Sequence, residues 1–260
     1  MDLRIPLPSL DEQKRISAVL NQADALRVQR RESLKILDEL EYSIFLGIFG
    51  SPDANPNGYS AVSLSQLLTE KLHNGISPSK DGGIVHKVLT LSAITSNTFL
   101  PGKWKDGTFR EDPPVKKIVT SDLFMICRGN GNMQLVGRGV FPTCDMLDTV
   151  YPDTILAAPV KQELVLPEYL THFWALPVVR RQIERMARTT NGTYKVNQKT
   201  MGAVEILLPP LEAQRQFQEI AQSILTERYS LMSHLKELDA LFASMQARAF
   251  RGELWETVSG

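Results

Sequence analysis

Cysteine is scarce in this chain: Cys127 and Cys144 are the whole complement, and no CxxC pair occurs. No disulfide framework follows, and a reducing, cytoplasmic setting is expected. Histidine is thin as well. His73, His86, His172 and His234 are scattered without metal-ligand spacing, so neither a metal site nor a cofactor is expected. No apolar run approaches the roughly 20 residues that a bilayer requires. The opening MDLRIPLPSLDEQKR does not read as a signal peptide, so no membrane role is expected. An excess of one charge is also missing, with 29 basic against 29 acidic side chains. That balance excludes coating nucleic acid through charge alone, but not a sequence reader whose basic residues gather on one face.

Catalytic motifs are absent in the same way. Asp112-Pro113-Pro114-Val115 approaches the Asp-Pro-Pro-aromatic motif of adenine methyltransferases, but valine cannot stack on a flipped base. Pro152-Asp153 followed by Glu163-Leu164-Val165 has valine where a nuclease needs lysine. Gly129, Gly131, Gly137 and Gly139 form neither GxGxxG nor a phosphate loop. No serine or cysteine has a recognisable base beside it. The reading is therefore a non-enzyme.

What is present is a repeat. Residues 5–49 match residues 206–250 at a constant offset of 201 with no gap, IPLPSLDEQKRI against ILLPPLEAQRQF. Pro8, Leu10 and Gln13 meet Pro209, Leu211 and Gln214; Leu34, Lys35, Leu37 and Asp38 meet Leu235, Lys236, Leu238 and Asp239. Each copy reads as a long helix opening at Ser9 or Pro210, with acids in the first turn where the helix dipole favours them. Ile16, Ala23, Leu37 and Ile44 recur at seven-residue steps broken by Arg30, as do Phe217, Ile224, Leu231, Leu238 and Met245. Val19, Leu26 and Leu40 supply an intervening row, so a coiled-coil-like antiparallel pair is expected. About 38 residues at ~1.5 Å each make a rod of about 57 Å, which suits a rigid spacer better than a compact bundle.

The spacers bracket a different composition. Residues 53–203 hold 17 basic and 13 acidic side chains, whereas 1–52 hold 7 and 8, and 204–260 hold 5 and 8. The middle is a mixed α/β globule of short strands, making the whole chain α+β. Strands are expected in HKVLTLSAI, in KKIVTSDLFMICRGNGN on either side of a turn, in LVGRGVF and in TVYPDTILAAPV. PEYLTHFWALPVVRRQIERMAR is helical, with Tyr169, Phe173, Leu176, Ile183 and Met186 as core contacts, and TTNGTYKVNQKT is a polar loop. Trp104 and Trp174 read as packing residues.

Reading base edges needs Arg or Lys for guanine and Asn or Gln for adenine. Arg128, Asn130, Asn132 and Gln134 place four such side chains in seven positions among glycines; a solvated turn is the plain alternative. Arg181, Arg185 and Arg188 fall at i, i+4 and i+7, one helix face able to meet phosphates or simply water. Thr193, Tyr194 and Lys195 follow Thr189, Thr190 and Asn191 in the polar loop, where Asn191-Gly192 reads as a plain turn.

The proline-led IPLPSLDEQ and ILLPPLEAQ helix starts around a globular middle resemble the specificity subunits of Type I restriction–modification systems. SDLFMICRGNG is similar to the family's GD-I-L-I-S-R-S/N-G element, with Ser121 in place of glycine and Cys127 in place of serine. The resemblance implies 53–203 as a target-recognition domain between spacer helices at 1–52 and 204–260. It implies double-stranded DNA, methyltransferase subunits and, indirectly, restriction subunits as partners. It also implies a further DNA-facing loop at Asn74, Ser77, Ser79 and Lys80. The family carries two recognition domains, each followed by a conserved helix. This chain reads helix, domain, helix, which leaves open a natural half-subunit, a truncated product or an excised piece, and a homodimer or a monomer zipped within itself. Two rival readings stand beside this one: an assembly scaffold that reads no bases, and an enzyme whose site the motifs do not reveal.

Overall fold

The computed structural model describes residues 9–96, 98–190 and 192–251. They include two long helices, α1 (Leu10–Phe49) and α5 (Leu211–Arg251). Between them run β1 (Ser60–Ser63), β2 (His73–Asn74), β3 (Ile84–Leu89), β4 (Trp104–Phe109), β5 (Ile118–Val119), β6 (Leu123–Cys127), β7 (Gly129–Asn130), β8 (Gly139–Val140), β9 (Met146–Val150) and β10 (Ile155–Pro159). Then come α2 (Pro167–Ala175), α3 (Pro177–Met186), β11 (Arg188–Thr190), β12 (Thr193–Lys195), α4 (Gln198–Gly202) and β13 (Glu205–Leu208). The fold is thus mixed helix and sheet, with a long helix at either end of the strands. The chain divides into two units, one of residues up to Gly47 with those from Glu219 on, the other Ile48–Gln218.

In the first unit α1 starts where the sequence places it. Glu12 N donates to Ser9 Oγ at 3.3 Å and Gln13 N to Ser9 O at 2.9 Å, satisfying amides that lack a helical partner. α1 and α5 pair through Arg27 Nε–Asp239 Oδ1 at 2.6 Å, and through Arg228 to Asp38 and to Glu41, the latter at 2.9 Å. Arg27 and Asp38 are 11 residues apart in ascending order, Asp239 and Arg228 the same 11 in descending order, so the helices run antiparallel. Eleven residues are about three turns, which returns both contacts to one face of each helix.

The rows at seven-residue steps lie inward: Ile16, Arg30, Leu37 and Ile44 are half-buried, Ala23 is buried, and Ile224 and Leu231 are buried. The intervening row of α1 holds at Val19, which is half-buried, and beyond it lies one residue later than expected. Leu26 and Leu40 are 46% and 45% exposed, and the inward positions are Leu20, Arg27, Leu34 and Glu41. Apolar residues misled here because two of the inward positions are charged. Arg27 and Glu41 enter the seam with their charges matched by Asp239 and Arg228.

The second unit is built on two four-stranded sheets, β2-β10-β6-β8 and β4-β3-β9-β5, together with the pair β1-β13 and the three-stranded sheet β11-β12-β7. Every residue of β6 and β10 is buried, which is why LFMIC and ILAAP are continuous apolar runs rather than alternating ones. Leu89, Ile94, Phe99, Met125, Tyr151 and Ile155 belong to one core cluster. The helical stretch after residue 166 is two helices. Pro177 forces its neighbour out of the helical region, and Leu176 ends α2 and opens α3 in extended conformation. Tyr169, Phe173, Leu176 and Ile183 are buried, and Met186 is half-buried. Trp174 packs edge-on against Phe124, but Trp104 is 40% exposed beneath Lys87 Nζ, 4.7 Å from the ring centroid, so the packing role expected for it fails.

Gln214, the glutamine of the second repeat start, is fully buried. Its Oε1 accepts from Leu166 N at 2.8 Å, while Nε2 donates to Leu164 O at 3.1 Å and Pro209 O at 2.8 Å. A motif residue thus clasps three backbone groups, the Pro209 carbonyl in a fully buried bond and the other two in part-buried ones.

Candidate nucleic-acid interface

The segment read as a polar loop after Ala187 is a β-hairpin. Arg188 and Thr190 of β11 pair with Lys195 and Thr193 of β12, and Gly192 turns the chain at φ 72°, a left-handed conformation that glycine adopts without strain. Asn191 lies outside the described residues. The hairpin overturns the single helix face proposed for Arg181, Arg185 and Arg188: α3 ends at Met186, and Arg188 begins a strand. Of the three, Arg181 pairs with Asp53 and Arg185 is exposed.

β12 also pairs with β7, setting Tyr194 opposite Asn130 and Lys195 opposite Gly129, while Val196 N donates to Arg128 O at 2.9 Å. Thus the segment holding Arg128, Asn130, Asn132 and Gln134 and the one holding Thr193, Tyr194 and Lys195 form one three-stranded surface. Arg188 and Lys195 stand directly opposite each other across the ladder.

The side chains of the Gly-rich turn also shape it. Asn130 Oδ1 accepts from Asn132 N at 2.8 Å, and Asn132 Oδ1 accepts from Gln134 N at 3.0 Å. These Asx bonds commit both oxygens and leave the amide N–H groups as donors. Arg128 Nη1 donates to Asp153 O at 3.1 Å. The thiol of Cys127, just before the turn, is buried, and desolvation pushes its pKa to about 11, which keeps it protonated and unreactive.

The third candidate segment divides. Asn74 is tied to the segment that follows β12: Gln198 Nε2, in the first turn of α4, donates to its Oδ1 at 3.3 Å, and the Lys117 ammonium donates to its backbone carbonyl. Gly75 follows because a Cβ there would lie 2.1 Å from Pro152 O, which cannot give way. Ser79 is held elsewhere. Its amide donates to Thr108 O at 2.7 Å and its carbonyl accepts from Thr108 Oγ1 at 2.6 Å, tying it to β4, while Ser77 and Lys80 are exposed.

Behind Asn74, Tyr151 Oη lies 2.8 Å from both His73 Nδ1 and Lys116 O. Burial and then the Lys117 charge hold the His73 pKa below its ordinary value, against the opposing pull of Glu70. Gln198 and Lys117 did not stand out in the sequence, because only tertiary contact brings them to Asn74. Among the described residues no group of three His, Cys, Asp or Glu side chains could hold a metal ion, and no helix is long and apolar enough to cross a membrane.

Long paired helices and a strand-rich unit with clustered polar loops define the class: this is the fold of Type I specificity subunits. Over 96% of its length the chain is similar to the HsdS subunit from Thermoanaerobacter tengcongensis, at TM-score 0.53 and 20% identity. The S subunit of a Type I restriction–modification system from M. genitalium is similar at TM-score 0.57 and 14% identity over 93%. In sequence the chain is 22% identical over 268 residues to the Type I restriction enzyme StySPI specificity subunit of Salmonella potsdam, with 97% of this chain aligned. It spans 58% of that relative, and 61% of each of the two solved chains. No protein-family model matches the sequence.

Proposed function

We propose that the chain is a non-catalytic subunit that reads one half of a bipartite DNA target for a Type I restriction–modification complex in the cytoplasm. In this reading residues 53–203 recognise double-stranded DNA, and the helices of 1–52 and 204–260 act as spacer and as docking surface for methyltransferase subunits. Restriction subunits are reached only through that complex. The observation that carries the reading is the β11-β12-β7 sheet. It sets Asn130 opposite Tyr194 and Gly129 opposite Lys195, with Arg128 O accepting from Val196 N, so that amide and cationic residues share one backbone frame. Amide donors serve base edges and cations serve phosphates, the two contact types that sequence recognition combines. Net charge also supports it, since the surplus of four basic residues falls in 53–203. The α1–α5 seam is closed within one chain, which favours a monomer over a homodimer zipped through these helices.

Mapping methylated adenines in cells that express the chain with its methyltransferase subunit tests the proposal. A split motif that changes when Asn130 and Gln134 are substituted is expected. A motif indifferent to every substitution in 128–134 and 193–195 would leave the scaffold reading in its place.

A further inference from the structure

The turn at Gln134–Gly137 is held by three side-chain donors. Arg138 Nε donates to Gln134 O at 3.0 Å, Arg180 Nη1 to Val136 O at 2.7 Å, and Trp174 Nε1 to Gly137 O at 2.6 Å. Arg138 is itself anchored, with Nη1 on Thr95 O at 2.7 Å. Gly137 adopts φ 77°, and a Cβ there would meet the Ile183 side chain at 2.6 Å, so the turn also packs directly on α3.

Arg180 is the unusual member. Its side chain is only 21% exposed, and burying a guanidinium is costly. Glu184 Oε1 lies 3.1 Å from Nε, but neither Nε nor Nη2 has a hydrogen-bond partner among the described residues. Stability alone does not explain an arginine there, because a partly buried ion pair is often replaced by apolar side chains at no loss. Its one well-made hydrogen bond goes to the turn that carries Gln134. Glu184 continues the link, accepting from Gln134 Nε2 at 3.5 Å.

We infer that Arg180, through Val136 O and Glu184, is a positioning residue that sets the pose of the Asn130–Gln134 reading turn and so determines sequence preference without touching DNA. The inference rests on the DNA-reading function proposed above. It predicts a division of labour in α3 that its sequence conceals: the exposed Arg181 and Arg185 stand outside the clamp, and the sheltered arginine aims the reader.

Two measurements on the full chain test it separately. In hydrogen exchange, Arg180→Met is expected to raise exchange of the Leu135–Arg138 amides ~10-fold while β6 and β10 stay protected. Glu184→Ala, at a more exposed position, is expected to give a smaller rise at the same amides. No selective change in either variant overturns the clamp. Selection from a pool of duplexes with a randomised core then reads preference. Arg180→Met is expected to lose discrimination at the base positions that Gln134→Ala also loses, with an unchanged salt slope. An unaltered preference overturns the positioning role even where exchange has risen. Failure of the wild-type chain to select any sequence refutes the DNA-reading function and with it the positioning role, while the exchange result still decides whether Arg180 clamps the turn.

Discussion

Arg27 and Arg228 stand 201 residues apart and make the same pair of contacts from opposite helices. Arg27 reaches Asp239 and lies over Phe242, 4.3 Å from the ring centroid; Arg228 reaches Asp38 and Glu41. Asp38 and Asp239 are themselves repeat equivalents, as are positions 41 and 242. The internal repeat is therefore a pseudo-two-fold axis across the helix pair. Each copy supplies the cation for one ion pair and the anion for the other.

That equivalence predicts a charge exchange. Arg228→Asp alone sets like charges against Asp38 and Glu41 and is expected to destabilise the chain. Adding Asp38→Arg is expected to recover much of the loss. Asp38 is half exposed, so the coupling energy in a double-mutant cycle should be about 1 kcal/mol, the upper end for such pairs. Urea denaturation of the four variants measures it. Strict additivity would mean that the seam is held by its apolar rows and that the matched charges contribute nothing.

The same residues mark how far the sequence could be read. The offset of 201, the helix start at Ser9 and the rows through Ile16 and Phe217 are sequence patterns, and each appears in the structure. The inward arginines are not legible, because a charge in a seam is tolerable only with a partner on the other helix, and partners belong to tertiary structure. The interface divides in the same way. Arg128–Gln134 stood out by composition, but the β11–β12 hairpin did not, since TTNGTYK is too short and polar to signal strands. It takes its order from pairing with Gly129–Asn130.

Gln214 offers a sharper stability test. Replacing it with leucine fills the same volume but removes the partner of the part-buried Leu166 amide and Leu164 carbonyl and of the buried Pro209 carbonyl. A loss of about 2–3 kcal/mol is expected, since an unpaired buried polar group costs more than a hydrogen bond contributes. Gln218→Leu, which removes one side-chain bond to Glu168, should cost clearly less. Equal losses in chemical denaturation would remove the clasp from the account of the repeat motif.

His73 gives the fold a pH dependence of defined sign. Its pKa is lowered in the folded chain, by burial first and by Lys117 next, with Glu70 opposing and Lys116 adding to the depression. The unfolded chain therefore takes up a proton near the ordinary value of about 6.5 while the folded chain does not. The stability tied to neutral His73 is complete above that pH and is lost as pH falls through it toward the folded pKa. His73→Gln, which keeps a donor for Tyr151, should lose less melting temperature between pH 7 and pH 5 than the wild type. Parallel melting curves across that range would assign the acid sensitivity to other groups.

Asn130 separates reading from folding at a single atom. Its Oδ1 shapes the turn by accepting from Asn132 N, while its amide hydrogens are the donors it can offer a base. Asn130→Asp keeps the acceptor and removes the donors. Asn130→Ala removes both. If the side chain reads DNA, the aspartate variant should keep the wild-type melting temperature yet lose about 1–3 kcal/mol of discrimination at one base position. Lys195→Ala should behave differently, weakening all sequences alike and reducing the salt slope by ~0.9 for the one phosphate contact released. Binding isotherms on matched and mismatched duplexes at several salt concentrations distinguish the two. Asn130 would be a turn-former and nothing more if its aspartate variant bound and discriminated as the wild type does while the alanine variant lost stability.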